Sequence, residues 1–179
     1  MTMPDLETTR PGFTRLIEQH SGEIFAYLCR QLGGAMDAED CLQETLLRAY
    51  RAFHRTKPDS NYRAWLYKIA TNVARTHSKR RNRRAANELP LNETTAAAGD
   101  PPDHSAEIGF ELARVRKAVE ALPEKQRAAL ILRKYQALDY DAIGEVIDCS
   151  PESARANVYQ ALRNLRSMLV ESRSVKEDE

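Results

Sequence analysis

Apolar residues in the first third of the chain recur every three or four positions, the spacing that predicts one face of an α-helix. The first such face stops near Gly33-Gly34 and comprises Phe13, Leu16, Ile17, His20, Ile24, Tyr27 and Leu28. Asp37 is a candidate N-cap for a second helix, with Asp40 in the capping-box position. The apolar face of that second helix comprises Leu42, Leu46, Ala49 and Phe53.

A third helix is expected from near Tyr62, after a loop at residues 54–61 that contains the turn sequence Lys57-Pro58-Asp59-Ser60. Its inward-facing positions are Trp65, Leu66, Ile69, Val73 and His77. Three helices of this length can enclose one core. Residues 86–106 then carry few large apolar side chains and three prolines, so they cannot bury enough surface to offset their ordering entropy and are predicted to be a linker.

Four further helices are expected after the linker. The first ends near Pro123, and its apolar positions are Ile108, Leu112, Val115, Val119 and Leu122. Residues 124–135 suit a second helix, and Asp139 can cap a short third helix that carries Tyr140, Ile143 and Val146. Ser150 followed by Pro151 is a strong start signal for the last helix, whose apolar positions are Ala154, Val158, Ala161, Leu162, Leu165 and Leu169. The tight turn between the last two helices predicts a helix-turn-helix.

The composition agrees with a helical fold, because 7 Gly and 8 Pro are too few for a turn-rich β protein. No segment alternates apolar and polar residues as a half-buried strand would. The chain is therefore predicted to be all-α, with two small helical domains at residues 10–85 and 107–171 joined by a flexible linker. The second domain contains the helix-turn-helix.

Charge is distributed unevenly, although the net charge is only +1. Residues 75–84 contain no acid, and their cations are Arg75, Lys79, Arg80, Arg81, Arg83 and Arg84. Cations this close repel one another, which favours phosphate binding over a merely solvated helix end. Tyr62, Trp65 and Tyr67 precede the run, and aromatic rings beside cations suit single-stranded DNA, since stacking is worth about 1–3 kcal/mol per base. The alternative for Trp65 is a core position.

The last helix is the candidate for reading duplex DNA, because the second helix of a helix-turn-helix enters the major groove. Its exposed positions near the start are Glu152, Ser153, Arg155, Ala156, Tyr159 and Gln160, followed by Arg163 as a phosphate contact. Arginine grips guanine through two bonds, glutamine reads adenine and glutamate accepts from cytosine. The alternative is an ordinary helical hairpin with a solvated face.

Other classes of protein are less well supported. Cys29, Cys41 and Cys149 show neither disulfide nor zinc-ligand spacing, and we expect Cys41 and Cys149 to be small buried hydrophobes. The four histidines are scattered and there is no glycine-rich phosphate loop, so no catalytic, metal or cofactor site is predicted. Neither an apolar leader nor a stretch of about 20 apolar residues is present, so a cytoplasmic protein without membrane insertion is expected.

Three motifs in order resemble the extracytoplasmic-function group of bacterial sigma factors. The run Asp37–Thr45 (DAEDCLQET) resembles the polymerase-clamp-binding segment, and Tyr62–Asn72 (YRAWLYKIATN) resembles the segment that reads the promoter −10 element. Leu122–Arg127, Asp139–Gly144 and Ser150–Glu152 are similar to the domain that reads the −35 element. Only two domains fit, which leaves no room for the extra regions of primary sigma factors.

This resemblance implies an alternative sigma factor that catalyses no reaction itself. Its partners would be core RNA polymerase (the β′ clamp and the β flap), promoter DNA and an anti-sigma factor. The implied clamp-binding residues are Asp40, Gln43, Glu44, Leu47 and Arg48. The implied −10 residues are Lys57, Asp59, Ser60, Asn61, Tyr62, Trp65, Arg75, Lys79, Arg80 and Arg81. The −35 face is the set on the last helix, and the free lobes would pack together or be held by the anti-sigma factor.

The chain departs from the family pattern at a few positions. Tyr62 stands where Phe is common, Thr76 stands where Asp often precedes the His, and Asn157 replaces a cation of the recognition helix. The −35 sequence therefore cannot be carried over from relatives. A stand-alone helix-turn-helix repressor would explain only the C-terminal half, and a pure interaction adaptor would not need the basic run.

Overall fold

The computed structural model describes residues 12–87 and 104–177, and these residues confirm the all-α class, with no strand among them. Their helices are α1 (Phe13–Leu32), α2 (Ala35–Phe53), α3 (Tyr62–Asn87), α4 (His104–Glu120), α5 (Glu124–Lys134), α6 (Tyr140–Ile147) and α7 (Pro151–Glu177). Most of the predicted linker, residues 88–103, lies outside the described residues, as does the N-terminal segment before Gly12.

Helices α1, α2 and α3 pack around one core and form what we call the N-terminal lobe. Tyr27 and Tyr67 are fully buried at its centre, edge to face with ring centroids 5.3 Å apart. The Tyr27 hydroxyl is 2.8 Å from Thr71 Oγ1, so a buried polar group keeps a hydrogen-bond partner. As predicted, α1 stops at Gly33, whose φ of 82° lies in the left-handed region that glycine tolerates.

The start of α2 differs from the prediction, because Asp37 is not its N-cap. The helix begins at Ala35, and the capping residue Gly34 provides no side-chain hydrogen bond. Asp37 lies instead in the first turn, where its carboxylate complements the helix dipole and is 3.0 Å from Arg81 on α3. The observed N-cap, Gly34, is therefore three residues before the predicted one.

Helices α4 to α7 form the C-terminal lobe, with α7 packed on α4, α5 and α6. The predicted caps are confirmed: Asp139 Oδ1 accepts from the Ala142 N–H at 2.8 Å, and Ser150 Oγ accepts from the Ser153 N–H at 3.2 Å. The helix-turn-helix is tight enough that a Cβ added to Gly144 would lie 2.7 Å from the Cys149 carbonyl oxygen. Glycine is therefore required at this position of α6, where the backbone of the turn passes close to it.

Helix α4 packs less deeply than its apolar pattern predicts. Leu122 and Ala118 are buried, but Leu112 is 63% and Val115 is 39% exposed. Its link to α7 includes a hydrogen bond of 3.3 Å from Arg114 Nη2 to the Leu169 carbonyl. The middle of α4 thus presents apolar side chains at the surface.

The two lobes lie against each other, with α3 facing α6 and α1 facing α5. This packing places the second half of α6 and the turn after it beside the first two turns of α3, where Lys68 pairs with Asp148. The contact between the lobes determines which of the predicted binding residues are exposed and which are covered.

Candidate nucleic-acid and partner surfaces

The polar face of α2 is exposed along its length, as the sequence pattern requires. Asp40, Gln43 and Arg48 are exposed, Glu44 is half-buried, and Leu47 is 52% exposed. Glu44 Oε1 accepts from Arg48 Nε at 2.6 Å, an ion pair that orders one turn of the face. Leu47 is thus an exposed apolar side chain framed by charged and amide groups.

The loop between α2 and α3 is held by its own hydrogen bonds. Asn61 Oδ1 accepts from the Ala64 N–H at 3.0 Å and so caps α3, while the Tyr62 hydroxyl donates to the Lys57 carbonyl at 3.0 Å. Tyr62 is only 9% exposed and packs with Phe53, so its ring supports the loop from beneath. The side chains of Lys57, Asp59 and Asn61 remain exposed, and Ser60 is half-buried.

The position of Trp65 is compatible with both interpretations that its sequence context left open. It is half-buried and packs against the core, with its ring 6.3 Å from that of Tyr62. It also lines a crevice of about 520 Å³ together with Ser60, Asn61 and Lys68. The opposite wall of the crevice comes from α6 and the following turn: Gly144, Glu145, Asp148 and Cys149. The loop side of this crevice has the aromatic and amide groups that can hold an unstacked base.

The basic run on α3 faces solvent over its second half. Lys79 and Arg80 are exposed, as are Arg83 and Arg84. Two of the other cations have acidic partners from elsewhere in the chain: Arg81 Nη1 lies 3.0 Å from Asp37 on α2, and Arg75 Nε lies 2.8 Å from Glu124 on α5. Sequence inspection could not foresee these acids, because they are distant along the chain. The exposed cations are the ones immediately available to phosphates.

The predicted recognition face of α7 is exposed to solvent although the two lobes lie against each other. Arg155 and Tyr159 are exposed, as are Glu152, Ser153, Ala156 and Arg163. Gln160 is half-buried, and its amide donates to Asn164 Oδ1 at 3.0 Å, which occupies one of its two donors. The opposite face packs inward through Ala154, Val158 and Ala161, as the spacing predicted.

The lobes are joined by a polar interface that the sequence did not reveal. Its centre is Gln136, a buried residue in the turn after α5. Tyr67 Oη donates to Gln136 Oε1 at 2.7 Å, and Arg63 Nη2 donates to the Gln136 carbonyl at 2.9 Å. The next residue, Ala137, adopts a φ of 52°, a left-handed conformation that costs a non-glycine residue about 1–2 kcal/mol.

Two ion pairs and one cation–π contact also join the lobes around Gln136. Lys68 Nζ lies 2.8 Å from Asp148, Arg75 pairs with Glu124, and the Arg30 guanidinium lies 4.4 Å from the centroid of the Tyr135 ring. The Lys68 hydrogen bond holds the pKa of Asp148 below its usual value. Acids of the C-terminal lobe thus occupy cations of the N-terminal lobe that lie beside the crevice and the basic run.

The cysteines agree in part with their predicted role. Cys41 is buried, and burial raises the pKa of its thiol to about 11, which makes it a poor nucleophile. Cys29 and Cys149 are half-buried and pack against the core, and Cys149 also lines the crevice. Within residues 12–87 and 104–177, no three His, Cys, Asp or Glu side chains are grouped so that they could hold a metal ion. The same residues include no helix of the length and apolarity needed to cross a membrane.

Comparison with known proteins identifies both lobes. A profile of sigma-70 region 2 matches residues 16–84, and a profile of sigma-70 region 4 matches residues 112–165. The RNA polymerase sigma-H factor of Pseudomonas aeruginosa is 31% identical, over 84% of this chain and 82% of its own length. An ECF RNA polymerase sigma factor of Mycolicibacterium smegmatis is 28% identical over 94% of this chain, and the chain spans 65% of that relative.

Solved structures show the same fold. The sigma factor RpoE of Bartonella quintana, in complex with the anti-sigma factor NepR, superposes with a TM-score of 0.68 at 21% identity, over 88% of this chain and 96% of that one. CnrH, in complex with the cytosolic domain of CnrY, gives a TM-score of 0.64 at 25% identity, over 89% of this chain and 88% of that one. With both regions matched in order, the chain belongs to the sigma-70 family, in its extracytoplasmic-function (ECF) group.

Proposed function

We propose that the chain is an alternative sigma factor: it binds core RNA polymerase and directs transcription initiation at promoters with particular −10 and −35 elements. One observation carries the proposal, namely that the docking face of α2, the crevice beside the basic run and the recognition face of α7 are three separate surfaces of one small chain. A repressor needs only the last of these. The first two have a use only if polymerase is the partner and melted DNA is a ligand.

The residues divide among these tasks by position. The α2 face, residues 40–48, docks on the helical clamp of the largest polymerase subunit, and the C-terminal lobe contacts the flap of the β subunit. The 54–61 loop and Trp65 accept a base flipped from the melted strand, and the cations of residues 75–84 contact its phosphates. Flipping a base out of the duplex costs a few kcal/mol and costs least at weak base steps, so capture of the flipped base depends on the promoter sequence. Helix α7 reads the −35 duplex through Glu152, Arg155 and Tyr159.

Residues 10–85 and 107–171 are proposed as the two functional domains, joined by residues 86–106. Helix α3 reaches into that joining segment as far as Asn87, and α4 begins within it at His104. The −10 and −35 contacts are each modest, but one chain carries both, so binding at one element raises the effective concentration of the other domain at its own element. Core polymerase keeps the two domains apart. The chain itself contributes recognition and no chemistry, and it acts in the cytoplasm, where its template is.

The closed packing of the lobes is proposed as the resting state. Lys68 and Arg75 are paired with acids of the C-terminal lobe, and α6 forms one wall of the crevice, whereas the α7 face is open. The closed chain can therefore meet duplex DNA with α7, whereas the wall formed by α6 restricts access of a melted strand to Trp65 and the loop. Binding to core polymerase would open it, and an anti-sigma factor would stabilise a form in which these surfaces stay covered.

Core binding is tested with the double variant Gln43→Ala, Glu44→Arg. The change removes one amide and reverses one charge on an exposed face, so the fold should be intact while complex formation with core polymerase weakens at least ten-fold. Co-elution on gel filtration measures the complex, and circular dichroism checks the helix content. Glu18→Arg, an exposed charge reversal on α1, is the matched control and should assemble normally. Normal assembly of the double variant would remove the clamp-docking role of α2.

A further inference from the structure

Tyr140, the first residue of α6, holds two arginine side chains against its ring. The guanidinium carbon of Arg133 on α5 lies 4.9 Å from the ring centroid, and that of Arg155 on α7 lies 5.0 Å from it. Both distances are within the roughly 6 Å over which an aromatic ring attracts a cation. Three helices of the C-terminal lobe thus meet at one side chain.

The ring itself is a fixed platform. Tyr140 is half-buried and packs against the hydrophobic core, and the neighbouring Asp139 caps the helix that carries it. Arg133 is held in turn, because its Nη1 donates to the Leu138 carbonyl at 2.9 Å. Arg155 differs from both. Its side chain is exposed, and its guanidinium makes no hydrogen bond within the described part of the chain.

The cluster lies on the side of the lobe that faces DNA in a helix-turn-helix. An open groove of about 680 Å³ joins the starts of α6 and α7, and its lining includes Tyr140, Pro151, Glu152, Arg155 and Tyr159. In this type of motif the first turns of the second helix contact base edges. Arg155 therefore rests on Tyr140 at the place from which it would reach a base.

A long, exposed arginine loses rotamer freedom when it grips a base, and a side chain that is already ordered loses less. We propose that Tyr140 is a positioning residue for −35 recognition: its ring preorganises the Arg155 guanidinium for the base that Arg155 reads. The inference rests on the proposed function, because it concerns how the −35 face works. It adds a specificity determinant that lies on α6, outside the recognition helix.

The test compares Tyr140→Leu with Tyr140→Phe in the full-length chain assembled with core polymerase. Phenylalanine keeps the ring, and leucine keeps apolar packing but removes the attraction for a cation. Selection of promoters from a library randomised at the −35 element gives the preference at each position. Tyr140→Leu should lower the preference at the position read by Arg155 by about two- to five-fold, equivalent to about 0.5–1 kcal/mol, and Tyr140→Phe should leave it unchanged.

A double-mutant cycle separates positioning from a general structural effect. In the Arg155→Ala background, Tyr140→Leu should cause no further loss at that position, and the −10 preference should be the same in every variant. An equal loss with and without Arg155, an equal loss in the phenylalanine variant, or no loss in the leucine variant would overturn the positioning role. If Arg155→Ala itself left every −35 position unchanged, the assignment of the reading face would fall together with the inference.

Discussion

At the scale of single residues, Arg63 is the point where the two lobes and the N-terminal core meet. Its guanidinium donates to Glu23 from two nitrogens, Nε and Nη2, with an Nη2–Oε2 distance of 2.7 Å, and Nη2 also donates to the Gln136 carbonyl. His20 Nδ1 lies 2.6 Å from the same carboxylate. Partial burial alone would raise the pKa of Glu23, but the hydrogen bonds from Arg63 and His20 hold it below its usual value.

This depressed pKa predicts a pH dependence of stability. A group whose pKa is lower in the folded state stabilises the fold fully above its unfolded pKa, about 4.3 for glutamate, and the stabilisation is lost as pH falls through the folded pKa. Protonation of Glu23 would also release Arg63 from one of its two anchors. Thermal unfolding measured between about pH 3 and 7 should therefore show a melting temperature that declines in the acid range.

Glu23→Gln separates this contribution from that of other carboxylates. The variant should have a lower melting temperature than the wild type at neutral pH and should lose less stability as the pH is lowered. Glu18→Gln, at an exposed position of the same helix, should reproduce the wild-type profile. A Glu23→Gln profile parallel to that of the wild type would show that the Arg63–Glu23 pair does not contribute.

At the scale of elements, the sequence predicted where most helices begin and end because the signals are local. Gly33 ends α1, Asp139 caps α6 and Ser150 with Pro151 starts α7, each through contacts within about four residues. The start of α2 was placed wrongly because Asp37 has cap chemistry but its carboxylate is used by Arg81, 44 residues away. A local pattern cannot reveal a partner that only the tertiary structure brings near.

The basic run of α3 is the element whose function depends most on salt. Removing one cation that touches a phosphate should reduce the magnitude of the log–log salt slope by about 0.9 on duplex DNA or about 0.7 on single strands. Arg80 is exposed and Arg81 is shared with Asp37, so Arg80→Ala should change the slope more than Arg81→Ala. Titration of promoter binding by the holoenzyme at several salt concentrations measures both effects.

The decrease in affinity should be the same for all promoter sequences, because phosphates carry no base identity. Arg116→Ala, an exposed cation on α4, provides a control for the change in net charge alone. A decrease confined to one base position would instead make Arg80 or Arg81 a specificity residue. An unchanged slope in both variants would mean that the run does not contact phosphates.

At the scale of the whole molecule, the packing of one lobe on the other was expected only in outline. The residues involved give no signal in the sequence: Gln136 follows a helix in a polar turn, and Lys68 and Asp148 have the pattern of solvated positions. They become an interface because α3 presents a buried tyrosine and a half-buried arginine to the turn after α5. Each exposed ion pair adds at most about 1 kcal/mol, so the ion pairs alone contribute little to holding the lobes together.

Opening of the lobes can be measured directly with Gln136→Ala combined with Asp148→Lys. The first change removes the acceptor of the Tyr67 hydroxyl, and the second places a cation opposite Lys68. Small-angle X-ray scattering should show a larger radius of gyration with unchanged helix content, and single-stranded −10 DNA should bind the free variant more tightly than the wild type.

Asp141→Lys is the matched control for charge, because this exposed residue of α6 lines the α7 groove and not the crevice between the lobes. It should keep the wild-type dimensions. A double variant as compact as the wild type would show that the observed polar contacts do not hold the lobes together. If the double variant were more open but bound single-stranded DNA no better, closure of the lobes would not be what limits access of DNA to the crevice.

The most direct test of sigma-factor function is run-off transcription by core polymerase on a library of promoters randomised at both elements. With the chain present, transcripts should start at a fixed distance from one −10 and one −35 sequence. Arg155→Ala should relax only the −35 preference, and Asn61→Ala with Ser60→Ala should relax only the −10 preference. Without the chain, no such selection should occur. Tight sequence-specific binding to duplex DNA without polymerase, together with no selected transcripts when both are present, would contradict a role in transcription initiation.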